Sequence, residues 1–475
     1  MGIVLAILAG LLSAQAPARA ASSGPCDIYA SGGTPCVAAH STVRALYAAY
    51  SGNLYQVRRS SDNTTRNIGT VSAGGAADAA AQDSFCAGTS CVITIVYDQS
   101  GHGNDLAYQG AGGAGGQDTP ASATSETLSI GGAKAYSLYI KPGNSYWHNG
   151  SASGMPTGSA PQGAYMVTSG QHVNGGCCFD YGNSETDRRA DGAGAMDAIY
   201  FGTSCWFGGC SGSGPWVQAD LEYGLYSGGS QSWNQSQRAF TSRYVTAMLK
   251  NNGTSRFALK GGDAQTGALT TLWNGALPPG YSPMRQQGAV ILGSGGDCCA
   301  TNTNQSLGTF YEGAVVAGYP SDATDDAVQA NITAAGYGGG STSTSTGPLH
   351  AVGAGKCLDV PNGSSTGGTQ TDINSCSGAA SQTWTHTSGG ALTVTVGGTQ
   401  MCLDANGKGT TAGTKAIIWS CNGQTNQQWN LNGDGTVRGV QSGLCLDVTG
   451  AATADGSPVE LWTCNGGSNQ QWRLG

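Results

Sequence analysis

Charge is scarce in this chain. Asp, Glu, Lys and Arg make up 10% of its 475 residues, against roughly 25% in an average soluble protein. The 20 basic residues form no cluster and the formal net charge is -8, which argues against a nucleic-acid partner. Long apolar runs are missing too. The longest, Ile3 to Ala14, is too short to span a bilayer, so no membrane partner is expected. None of the 16 cysteines sits in a C-x2-C pair with matching ligands, so neither a metal nor another cofactor is expected.

Glycine is abundant, 79 residues, and so are Ser and Thr. That composition suits many short strands joined by tight turns, with a neutral, hydroxyl-rich surface facing an uncharged substrate. Ala18-Arg19-Ala20 after the apolar run reads as a cleavage site, so residues 1–20 are expected to be a signal peptide and the protein to be secreted. Secretion permits disulfides. Short spacings join Cys26 with Cys36, Cys86 with Cys91, and Cys205 with Cys210. Two pairs of adjacent cysteines, Cys177-Cys178 in "NGGCCFDYG" and Cys298-Cys299 in "GGDCCATN", either close on themselves or bond elsewhere, for example to one another.

Residues 21–337 read as one domain. Segments 91–99, 163–170 and 288–296 are rich in β-branched residues and predict strands. Segment 37–50 has apolar residues at helical spacing, and 321–337 opens with a Ser cap and acids, predicting a helix. Many short strands with Gly-rich turns over this length suggest a large β-sandwich. "GGGSTSTSTG", 338–347, is a flexible linker by composition.

Residues 348–475 hold a threefold repeat. "CLDV", "CLDA" and "CLDV" start at Cys357, Cys402 and Cys445; second cysteines follow at Cys376, Cys421 and Cys464, and Q-x-W ends at Trp384, Trp429 and Trp472. Three such units packing together bury a shared Trp core, each closed by its cysteine pair. This resembles the ricin-B type β-trefoil lectins, carbohydrate-binding module family 13. The resemblance implies sugar pockets built from Asp404, Trp419, Asn426 and Gln427 in the second lobe, and from Asp447, Trp462, Asn469 and Gln470 in the third. The first lobe keeps Asp359 but has Asn374 and Ser381 at the aromatic and Asn positions, so it is expected to be weak or silent.

A secreted chain with a sugar-binding module suggests a glycoside hydrolase, whose chemistry needs two carboxyl groups. "GPWVQADLEYG" places Asp220 and Glu222 two apart, which on a strand puts both on one face. Asp297 follows an apolar strand on a Gly-Gly turn; Asp180 and Glu312 are reserves.

The strings "CVAAHSTVRALYAAYSGNLYQVRR", "SFCAGTSCVITIVYDQSGHGNDL", "GGCCFDYGN", "GPWVQADLE" and "TFYEGAVVAGYPSDATDDAVQANI" resemble the α-L-arabinofuranosidases of glycoside hydrolase family 54 over nearly all of 26–337. The resemblance implies an all-β chain: a jelly-roll β-sandwich catalytic domain followed by the β-trefoil. It implies a retaining, exo-acting enzyme with Glu222 as nucleophile and Asp297 as acid/base. It further implies a vicinal disulfide at Cys177-Cys178 flooring a furanose subsite, with Trp206, Asp220 and the Gly296 backbone around it. Tyr223 stands where the family often has Asn, so its contact with the sugar differs. Fungal members carry another trefoil, so its ligand does not transfer. The expected partner is plant cell-wall polysaccharide, arabinose-substituted xylan or arabinan, bound by a monomer. The alternatives are a β-galactofuranosidase, or a non-catalytic polysaccharide-binding protein.

Overall fold

The computed structural model describes residues 23–109, 118–207, 209–293, 304–338, 345–387, 390–431 and 435–475. The expected signal peptide lies outside them. No helix among the described residues is long and apolar enough to cross a membrane.

Strands dominate. One seven-stranded sheet runs in the order Cys36–Ser41, Gly308–Ala317, Gln162–Thr168, Val245–Asn251, Arg256–Asp263, Thr270–Ala276, with Leu138–Ile140 also on Gly308–Ala317. A ten-stranded sheet runs Leu225–Tyr226, Trp216–Asp220, Asp197–Gly202, Asp180–Ser184, Ala289–Leu292, Tyr146–Asn149, Leu106–Tyr108, Cys91–Val96, Asn53–Arg59, Thr65–Gly69. Met166, Val245, Ala247 and Leu249 of the first sheet meet Ile199, Val217, Ala219, Val290 and Leu292 of the second in one buried core. The two make the jelly-roll sandwich.

The period-2 alternation of a strand explains why Gln162–Thr168 is buried throughout. Ala164 and Met166 enter the core between the sheets. Tyr165 and Val167 face the other way, into a layer with Val328 and Ile332 of the helix Asp322–Ala334. That helix starts as expected, with the Ser321 side chain accepting from the Thr324 N–H at 3.1 Å. Its Asp325 takes the ammonium groups of Lys250 and Lys260, each at 2.8 Å.

The helical reading of 37–50 is corrected. Cys36–Ser41 is a strand paired with Gly308–Ala317. Ala38 points into the inter-sheet core and Ala39 into the outer layer. The Ser41 hydroxyl then accepts from the N–H groups of Val43 and Arg44 and turns the chain. Burial on two faces outweighs a weak local periodicity.

The C-terminal region is a separate twelve-stranded β-trefoil sheet. Its strand Ser345–Ala351 takes in the last three residues of stretch 338–347. Trp384, Trp429 and Trp472 are buried, and their indole N–H groups donate to the carbonyls of Leu358, Leu403 and Leu446 at 3.0, 2.9 and 2.9 Å. Each ring thus fills the core and ties its lobe's Q-x-W to its C-L-D strand. Disulfides join Cys357–Cys376, Cys402–Cys421 and Cys445–Cys464.

Candidate active site and sugar-binding lobes

Alternation also sorts the ten-stranded sheet. Tyr181, Ile199, Phe201, Val217 and Ala219 face the core. Their neighbours Asp180, Tyr200, Gln218 and Asp220 therefore share the outer face. The Sγ of Cys178 and the carboxylates of Asp180 and Asp220 lie within 4.8 Å of one another there. Asp180, a reserve in the sequence, thus belongs to the cluster. Burial raises the pKa of Tyr200, and the Asp180 and Asp220 charges add to it, so this phenol keeps its proton.

Cys177 and Cys178 are bonded to each other across a cis peptide. Cys178 is buried against Tyr200 and Leu225, with Cys177 partly exposed beside it. The loop is pinned from one side. The Asn174 side-chain oxygen accepts from Gly176 and Leu307 N–H groups at 3.0 and 2.9 Å, and the Cys177 carbonyl accepts from Gln305 N–H at 3.3 Å. Gly176 lies so close to the Gln305 carbonyl that a Cβ would overlap it.

Trp206 rides on a loop closed by the Cys205–Cys210 disulfide. Gln218 holds that loop over the outer face, donating to the Ser204 carbonyl at 2.7 Å. The Trp206 ring is 49% exposed.

The expectation that Asp220 and Glu222 are alternate residues of one strand is corrected. The strand Trp216–Asp220 ends, and Glu222 and Tyr223 take left-handed φ values of 67° and 59°. Hydrogen bonds hold this turn from both sides. Asp220 Oδ1 accepts the Glu222 N–H at 3.1 Å, and the Tyr281 hydroxyl donates to the Glu222 carbonyl at 2.6 Å. Gly224 follows, where a Cβ would overlap the Phe207 ring. Glu222 is 5% exposed and Tyr223 60%.

Gly296, Asp297, Cys298 and Cys299 lie outside the described residues. The chain on either side of them borders the cluster. Ala289–Leu292 pairs with Asp180–Ser184, and the Gly293 N–H donates to the Asp180 carbonyl at 2.9 Å. Gln305, beyond them, holds Cys177.

Glu312 is no catalytic candidate. It is fully buried, receives Arg44 at 2.5 and 2.6 Å and accepts from Tyr337 at 2.8 Å. Two glycosylation-type sequons are also structural: Asn304 and Asn234 are buried with their side-chain amides bonded to backbone carbonyls.

The trefoil lobes differ as their residues do. In the second, Asn426 and Gln427 donate to one Asp404 oxygen, each at 2.8 Å. In the third, Asn469 and Gln470 donate to Asp447 at 2.9 and 2.7 Å. Burial raises both carboxyl pKa values, while the amides favour the charged form. Trp419 and Trp462, opposite Cys402 and Cys445, are 46% and 43% exposed, so neither is core. In the first lobe Asn374 stands opposite Cys357 and donates to Asp359 at 3.1 Å, while Gln382 makes the same backbone bonds, to Ser375 and Ser377, that Gln427 and Gln470 make in their lobes.

Tyr281, Tyr200, Gln218 and Asn174 escaped the sequence reading. The strand alternation around Ile199 and Val217 could have flagged Tyr200 and Gln218. Tyr281 comes from a distant loop and leaves no local signal.

The family model for the α-L-arabinofuranosidase B catalytic domain matches residues 25–338, and that for the ricin-type β-trefoil lectin domain matches 345–472. A probable α-L-arabinofuranosidase B of Aspergillus terreus is 55% identical over 323 residues, 66% of this chain and 63% of that protein. An arabinofuranosidase/β-xylosidase of Trichoderma koningii is 53% identical, with the same shares. The chain thus spans less than two thirds of these curated relatives. A solved glycoside hydrolase family 54 α-L-arabinofuranosidase soaked with a cyclic sulfate inhibitor is 34% identical at a TM-score of 0.64, over 95% of this chain and 99% of that one. An arabinofuranosidase complexed with arabinofuranosyl-α-1,2-xylobiose is 35% identical at the same TM-score, over 95% and 98%. The chain belongs to the α-L-arabinofuranosidase B family, its catalytic domain joined to a ricin-type β-trefoil lectin domain.

Proposed function

We propose that this protein is a secreted, retaining, exo-acting α-L-arabinofuranosidase that removes terminal arabinofuranose from arabinoxylan, arabinan or a related hemicellulose. One observation carries the reading most: the bonded Cys177-Cys178 pair lies against Asp220, whose carboxylate in turn holds Glu222. A disulfide fixed in this way is a rigid, polarizable plate on which the C–H face of a five-membered sugar can rest. Trp206 and Tyr223 offer exposed rings for its walls, and Asp220 a carboxylate for its hydroxyls.

In this reading the Glu222 carboxylate attacks the anomeric carbon, and Asp297 gives its proton to the leaving oxygen. A covalent glycosyl-enzyme forms. Water then attacks, losing its proton to Asp297, and L-arabinose leaves with its configuration kept. Retention needs the two carboxyls about 5–5.5 Å apart. Asp297 is four residues from Gly293, a reach of at most about 14 Å, and Gly293 is bonded beside the cluster. The Gly296 backbone is a further contact to the sugar. Asp297 must start protonated, which a neighbouring ionised Glu222 favours.

The trefoil tethers the enzyme to polysaccharide through lobes two and three, raising local substrate concentration. An exposed Trp on the strand paired with that of a buried, amide-clamped carboxylate supports this in both lobes; lobe one has Asn374 at the Trp position.

Hydrolysis of 4-nitrophenyl α-L-arabinofuranoside, with the anomer first formed read by proton NMR, tests the proposal. Release of the retained sugar is expected. Inversion, or no release, would refute it. The name of the Trichoderma koningii relative favours one second reading, a β-xylosidase activity of the same site, tested on 4-nitrophenyl β-xyloside.

A further inference from the structure

We propose that Tyr281 is a positioning residue for glycosyl transfer, fixing the backbone of Glu222 from the connection that joins the two sheets. The proposal rests on Glu222 being the nucleophile. Two successive residues with side chains, Glu222 and Tyr223, sit at φ values of 67° and 59°. Cβ sterics disfavour that region, so the turn needs external anchors. The Glu222 N–H is held from its own strand, by Asp220 at 3.1 Å. Its carbonyl is held from elsewhere, by the Tyr281 hydroxyl at 2.6 Å.

Tyr281 lies in the connection from Thr270–Ala276, the edge strand of the seven-stranded sheet, to Ala289–Leu292 of the ten-stranded one, whereas Glu222 follows the end of Trp216–Asp220 in that second sheet. The contact is therefore a strut from this inter-sheet connection to the turn. Its ring is buried edge-on against Tyr226 with centroids 5.1 Å apart. Tyr226 lies in Leu225–Tyr226, the strand that leaves the turn. One side chain thus grips the turn at its carbonyl and at its exit. Burial raises the Tyr281 pKa, and a hydrogen bond with Tyr226 and the Tyr226, Asp220 and Glu222 charges add to it. The hydroxyl stays a donor. Without it the turn is free to relax, and a shift of the carboxylate by about 1 Å costs on the order of 100-fold in rate.

The test uses the full chain and an arabinofuranose-configured 1,2-cyclic sulfate. A carboxylate oxygen bonds to the anomeric carbon as that carbon's bond to sulfate oxygen breaks. The sulfate remains on the neighbouring carbon as a monoester anion. Peptide mapping locates the adduct, and its rate of formation is compared with that of Y281F and Y281M. Both variants keep an apolar side chain without the donor, and either one with native near-ultraviolet circular dichroism carries the measurement. Labelling of Glu222 is expected to slow about tenfold or more while inhibitor affinity stays within about threefold; kcat on the aryl glycoside should fall alongside at near-constant KM. Labelling within about twofold of wild type, or a loss confined to affinity, would overturn the strut. An adduct on another residue of the wild type would instead overturn the reading of Glu222 itself.

Discussion

The carboxylate of Asp220 accepts the backbone N–H of Glu222 at 3.1 Å, so one acid shapes the turn that presents the other. An Asn at 220 still offers an oxygen to that N–H; an Ala does not. D220A is expected to lose on the order of 100-fold or more in kcat/KM, about 2.7 kcal/mol of transition-state stabilisation. D220N should lose clearly less. Michaelis–Menten kinetics of both variants check this, and equal losses would assign Asp220 to the sugar alone.

Asp197 is fully buried between the sheets with Gln162 and Asn251 amides at 3.1 and 3.3 Å, and burial raises its pKa to about 7. Between its unfolded value, near 4, and this one, the folded state binds the extra proton. Stability therefore falls as pH rises through that window, by roughly 4 kcal/mol at most, and the loss is complete above it. D197N removes the charge. Its Tm should exceed that of wild type by several degrees at pH 8 and show no such gain at pH 4. The same difference at both pH values would contradict the assignment.

Trp419 and Trp462 are exposed beside amide-clamped carboxylates, and lobe one has Asn374 in the same place. In titrations of the full chain with soluble arabinoxylan, W419A or W462A alone should weaken binding about tenfold or more, through lost avidity. The double variant should abolish trefoil binding, and D359A should leave it unchanged. Hydrolysis of the small aryl glycoside should be normal in all of them.

The Lys250 and Lys260 ammonium groups meet Asp325 at 2.8 Å, and all three side chains are 5% exposed. Removing the acid leaves two buried cations sharing Asp322, which lies 2.7 Å from each. D325A should cost about 3–5 kcal/mol in denaturant unfolding; a change below about 1 kcal/mol would mean that Asp322 alone neutralises both.

The trefoil was legible because its signals are local and repeated. Each Q-x-W Trp lies at a fixed distance from its cysteines, and the buried indoles occupy equivalent places. The Ser321 cap was legible for the same reason. The turn at Glu222 was not, because its φ depends on Tyr281, far along the chain. Segment 37–50 misled because Ala38 and Ala39 face two different cores, a pattern that imitates helical spacing. Glu312 is indistinguishable in sequence from other acids among aromatics, because its partner Arg44 is 268 residues away.

The central claim is that Glu222 is the carbon-attacking group, and azide rescue of E222A tests it most directly. On 4-nitrophenyl α-L-arabinofuranoside, E222A should turn over at least about a thousandfold more slowly than the native chain. Added azide, entering the vacated space, should restore nitrophenol release and yield β-L-arabinofuranosyl azide. Near-native turnover by E222A without azide would contradict the account.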